Sequence, residues 1–117
     1  MSILEKKDEL IFAIKNSAEY LDFIRAKEDL SKYPEQNDYL DEYKKMLLES
    51  QLGQFLGDIV NPISKEQIED IYDEISKYDV INNYLNAEYR LKNVLHVIYQ
   101  DLGHIIDIKE DRKSYFI

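Results

Sequence analysis

Residues 79–107 read DVINNYLNAEYRLKNVLHVIYQDLGHIID. Tyr84, Glu88, Leu91, Leu95, Ile98, Leu102 and Ile105 fall there at alternating steps of four and three, a heptad seam with one polar member at Glu88. Ile81, Leu85, Ala87, Val94 and Ile106 add an apolar flank beside it. With Asp79 as N-cap, the pattern predicts one helix over 80–107. At 1.5 Å per residue this helix is roughly 42 Å long, more than a small domain needs to cover its own core. Its apolar surface is also wider than one packing stripe, so the reading leaves part of it for a partner. Tyr84, Glu88, Leu91, Leu95, Ile98 and Leu102 are the candidate interface residues, and a homodimer is the expected assembly.

Working outward, the same spacing recurs upstream. Leu10, Ile11 and Ile14 mark a helix near 3–15, and Tyr20, Leu21, Ile24 and Leu30 mark a second near 18–32. Tyr33 precedes a proline and is pushed out of the α region. Pro34 suits the first position of a third helix, near 34–58, with Glu35 at its positive end. Gly53 and Gly57 weaken the end of that helix and Asn61-Pro62 stops it. Ser64 and Gln67 have capping-box spacing and open a fourth helix near 65–77, which carries Ile68, Ile71, Tyr72 and Ile75. The fold class is therefore all-α: a five-helix bundle with a long C-terminal helix and no sheet. Residues 1–108 form a single domain and 109–117 a tail. Phe23, Ala26 and Leu30 also repeat as Tyr84, Ala87 and Leu91 at a constant offset, a frame that helix-pair duplication or shared amphipathicity can produce.

Composition removes functions rather than supplying one. The chain has 117 residues, 24 acidic against 15 basic, a net charge of −9 and no cysteine. Absence of cysteine excludes disulfides, thiolate zinc sites, cysteine nucleophiles and iron–sulfur clusters ligated by this chain alone, and fits a reducing cytoplasm. The acidic charge is spread over both halves and argues against direct nucleic-acid binding, which uses a basic face. No apolar run is long enough to span a membrane, and the start MSILEKKDEL is too charged for a secretory signal.

The search for chemistry is negative. His96 and His104 lie eight apart, about 12 Å on a helix, too far to share a metal ion. His104 and Asp107 have i, i+3 spacing but need two more ligands. Carboxylate doublets such as Glu69-Asp70 and Asp73-Glu74 lie between apolar helical positions, where solvated faces go, and a catalytic pair needs a pocket that separates two pKa values. Phosphate loops, nucleophile elbows and di-iron motifs are missing. No catalytic, cofactor-binding or metal residue is assigned. Ten tyrosines and no tryptophan are the one compositional oddity, and Tyr78, Tyr84, Tyr89 and Tyr99 gather around the last helix. Tyrosine is enriched at protein interfaces, although several of the ten must fill the core.

Residues 79–95, running on to Ile98, Leu102, Gly103 and Ile106, resemble the closing helix of the YlbF/YmcA family of small bacterial helical proteins. Ser17 to Leu30 (SAEYLDFIRAKEDL), Pro34-Glu35 and the helix led by Leu40 and Tyr43 resemble the same family. Tyr115-Phe116 in the tail looks closest to the YlbF branch. The resemblance implies a non-enzymatic cytoplasmic regulator that forms homo- or hetero-oligomers with family relatives. It further implies roles in competence, biofilm formation and sporulation, through RNase Y-dependent mRNA processing or a phosphorelay, with an RNase Y-type ribonuclease as a further partner. Iron–sulfur binding is associated with complexes of such proteins, but this chain has no thiolate to offer. The competing reading is a helical ligand- or nucleic-acid-binding module. It predicts a concave cavity with convergent charged groups, whereas an adaptor leaves an apolar, tyrosine-rich stripe exposed.

Overall fold

The computed structural model describes residues 2–56 and 65–106. The described residues form five helices and no strand: α1 Ile3–Lys15, α2 Ala18–Ser31, α3 Pro34–Leu56, α4 Lys65–Ile75 and α5 Asp79–Ile105. Each helix falls where the apolar spacing predicts it. The tail, Gly57, Pro62 and the Ser64 cap lie outside the described residues.

The helix ends have local causes. Ser2 caps α1 through a complete capping box with Glu5. Ser17 serves two helices. Its hydroxyl donates to the Ile14 carbonyl at 2.6 Å and accepts from the Tyr20 amide at 3.2 Å, closing α1 and opening α2. The last turn of α2 tightens into i→i+3 bonds, Lys32 N–H to Asp29 and Tyr33 N–H to Leu30, and α3 then starts on Pro34 as expected. Asp79 corrects the sequence reading by one residue. It is the first helical residue of α5 rather than the cap, because the Tyr78 carbonyl already accepts from the Ile81 and Asn82 amides at 3.1 and 2.9 Å. The Asp79 carboxylate still sits in the first turn, where the helix dipole favours it.

The chain packs as two compact units that share α2 and α5. Residues 1–23 and 86–117 make one, and residues 24–85 make the other. The second unit holds the core. Ala26 and Leu30 from α2, Leu40 and Tyr43 from α3, Ile75 from α4, and Ile81 and Tyr84 from α5 are all buried there, with Ile81 fully removed from solvent. Removing side chains of this size from water is the main favourable term, at about 25 cal/mol per Å² of apolar surface. α3 and α4 pack directly on each other within this unit. The first unit is different: among the described residues its only buried side chain is Ala87. Ala26 and Ala87, equivalent in the repeated frame, are thus both buried.

Candidate interaction surface

The seam of α5 changes character along its length. Tyr84, at its start, is buried at 7 % exposure inside the second unit. The Lys44 ammonium donates to its phenol oxygen at 2.9 Å and lies 4.6 Å from the ring centroid. Tyr84 therefore works within its own unit. Glu88, the polar member, is half-buried and faces Lys92 one turn on, at 3.8 Å. Such a pair, with Lys92 well solvated, is worth a few tenths of a kcal/mol at most. Leu91, Leu95 and Ile98 are half-buried. Leu102 and Ile105 then rise to 56 % and 78 % exposed, with Ile106 beside them. The seam is thus covered at its start and bare at its end.

α1, in the same unit, is bare as well. It buries none of its residues, and Ile3, Leu4 and Phe12 are exposed, with Leu10 and Ile11 partly so. Heptad reading of α5 could not find this surface. The signal was present in the apolar run Leu10-Ile11-Phe12, but a sequence does not say that a run of this kind lacks a cover.

The tyrosines sort differently from the sequence reading. Tyr89 is exposed and Tyr99 half-buried. Tyr78 instead meets Tyr39, ring centroids 5.8 Å apart, and Tyr72 meets Tyr43 at 5.9 Å. These tilted pairs tie α3 to α4 and to the turn before α5, which is aromatic packing inside one unit. Tyr39 also donates its phenol proton to Glu35 at 2.6 Å, and this bond holds the phenol pKa above its ordinary 10.0. Tyr43 is pushed the same way, chiefly by burial and secondarily by Tyr72. The i, i+4 spacing of Tyr39 and Tyr43 was the available signal for this ladder.

No three of the His, Asp and Glu side chains among the described residues cluster as metal ligands. His104 is exposed and His96 half-buried. Two concavities mark the second unit. One, about 400 Å³, is lined by the Asp29–Lys32 pair, Tyr33, Gln36, Tyr78 and Asn83. The other, about 300 Å³, lies beside Lys44 and Tyr84. No helix among the described residues is long and apolar enough to cross a membrane.

Five helices, one unit with a core and one with exposed apolar side chains define the class: a small all-helical protein. The sequence pattern of the family described as "Control of competence regulator ComK, YlbF/YmcA" matches residues 3–107. The chain belongs to the YlbF/YmcA family, whose description links it to control of a competence regulator. It is similar to a UPF0342 protein of Symbiobacterium thermophilum, 29% identical over 82% of this chain and 86% of the relative. A UPF0342 protein of Halothermothrix orenii is 29% identical over 97% of this chain and 98% of its own length. One from Desulfitobacterium hafniense is 28% identical over 92% and 88%. No solved structure matches the chain significantly.

Proposed function

We propose that this protein is a non-enzymatic cytoplasmic regulatory adaptor that acts by protein–protein contact, first with a second copy of itself. The observation that supports this reading is the contrast between the units. Among the described residues, seven of the eight buried side chains belong to residues 24–85, while α1 and the end of α5 leave Ile3, Leu4, Phe12, Leu102 and Ile105 in water. Large apolar side chains left in water in this number are covered in solution more often than not. An isologous dimer lets one self-complementary patch cover both copies. Leu91, Leu95, Ile98 and Leu102, with Glu88 at the edge, form the α5 part of that contact, and α1 supplies the rest. By likeness to the family, the assembled protein influences competence, biofilm formation or sporulation, with RNase Y-dependent mRNA processing as the route and family relatives or an RNase Y-type ribonuclease as further partners.

Leu102→Asp is the decisive variant, because Leu102 is 56 % exposed and its loss leaves the chain's own core intact. Burying an unpaired carboxylate in an interface is strongly unfavourable. Light scattering is expected to show a wild-type dimer and a monomeric variant with unchanged helical circular dichroism. Leu95→Asp, at a half-buried position, is expected to split the dimer with some loss of thermal stability. A wild-type mass of 14.0 kDa at micromolar concentration overturns the proposal.

A further inference from the structure

Within the second unit, the corner between α2 and α3 and the start of α5 frame a cavity of about 400 Å³. We propose that it receives an arginine side chain presented by a partner protein. Two tyrosines line it, Tyr33 from the α2–α3 corner and Tyr78 from the turn before α5, and they are 50 % and 38 % exposed. Both stand on fixed backbone. The Tyr33 N–H donates to the Leu30 carbonyl at 3.0 Å, and its carbonyl accepts from the Asn37 amide at 2.9 Å. The Tyr78 N–H donates to the Ile75 carbonyl at 3.1 Å, and its ring meets that of Tyr39, 5.8 Å between centroids. Aromatic anchors set on such a frame lose little freedom when a ligand arrives.

The polar groups beside the rings select the ligand. Asp29 and Lys32 on the rim pair with each other at 3.5 Å. Asp79 also lines the cavity and makes no ion pair among the described residues, so its carboxylate is the charge that remains. The positive end of α5 offsets roughly half a charge of it, which leaves the cavity attractive to a cation. The same unit shows a cation on tyrosine, since the Lys44 ammonium lies 4.6 Å from the Tyr84 ring centroid. Gln36 and Asn83 add side-chain amides that make no hydrogen bond among the described residues. Their carbonyl oxygens accept, as the Asp79 carboxylate does. A guanidinium is planar, carries five donors, and can stack on tyrosine while donating to several acceptors, which an ammonium cannot. Most of the lining is exposed, whereas a small-molecule site encloses its ligand, so the side chain arrives on a polypeptide that covers the rest. The site lies within residues 24–85, uses none of the residues proposed for self-association and does not depend on it.

The test is a titration of the full chain with N-acetyl-arginine amide at constant ionic strength, N-acetyl-citrulline amide being the uncharged control. Tyrosine ring signals are followed by NMR. Saturating shifts at Tyr33 and Tyr78 are expected with the arginine compound, and binding about tenfold weaker with citrulline. Asp79→Asn is expected to weaken arginine binding about tenfold with unchanged circular dichroism, the effect of losing one charge-assisted contact. Tyr33→Leu, at an exposed position, is expected to weaken it about threefold, the effect of losing a surface cation–π contact. Lys32→Met frees Asp29 and is expected to tighten binding. Equal affinity for the arginine and citrulline compounds overturns the site, and so does equal arginine affinity in wild type and Asp79→Asn. Weaker binding by Lys32→Met overturns the ligand class. Tighter binding of free arginine than of its N-acetyl amide overturns delivery on a polypeptide.

Discussion

Ser2 and Glu5 make a reciprocal pair at the start of α1. The Ser2 amide donates to the Glu5 carboxylate at 2.9 Å, and the Glu5 amide donates to the Ser2 hydroxyl oxygen at 3.1 Å. The amide bond first, and the hydroxyl second, hold the Glu5 carboxyl below its ordinary 4.5. A carboxyl lowered in the folded state stabilises that state above its unfolded value and loses the contribution as pH falls through its folded value. The first turn of α1 is therefore expected to fray on acidification below 4.5 while the second unit stays folded. Amide hydrogen exchange at Ile3 to Glu5 measures this, and Glu5→Gln is expected to remove the pH dependence. Unchanged first-turn exchange between neutral and acidic pH contradicts the expectation.

At the scale of one helix, α3 carries a glycine that nothing around it requires. Gly53 lies inside Pro34–Leu56, and a Cβ placed on it meets no atom within 4 Å. The entropy lost by ordering glycine in a helix is then uncompensated. Gly53→Ala is expected to stabilise the protein by about 0.5–1 kcal/mol, a rise of a few degrees in Tm. A fall in Tm, read by circular dichroism, contradicts the expectation. The same scale explains α1. Its helix is closed by local bonds at both ends, Ser2 at the start and the Asn16 amide and side chain on Phe12 at the finish, so it forms without burying any residue. Local capping fixes where α1 begins and ends, and leaves open what covers it.

For the whole molecule, the apolar surface has to work against the net charge. Two copies at −9 repel, and at physiological salt the screening length is about 8 Å. An apolar dimer of such chains is expected to tighten as salt rises, because screening removes repulsion without touching the apolar gain. Sedimentation equilibrium across a salt series measures the slope. A dimer that weakens with salt points to interfacial ion pairs rather than to Leu91, Leu95, Ile98 and Leu102 as its centre.

Helix count, helix type and all five helix positions were legible in the sequence, because they rest on local causes: 3.6-residue apolar spacing and the stop and start that Pro34 imposes. Apolar pattern also marked Leu91, Leu95, Ile98 and Leu102 as one face. Burial was not legible, because a heptad seam looks alike whether its own chain or another covers it. Only the tertiary structure could take Tyr84 out of the surface by setting Lys44, forty residues away, against its ring. The same holds for the pairing of Tyr39 with Tyr78 and Tyr43 with Tyr72, and for the gathering of Tyr33, Gln36, Tyr78 and Asp79 around one cavity. Spacing along one helix specifies which side chains share a face. What that face meets depends on contacts between residues far apart in the chain, which no local pattern encodes.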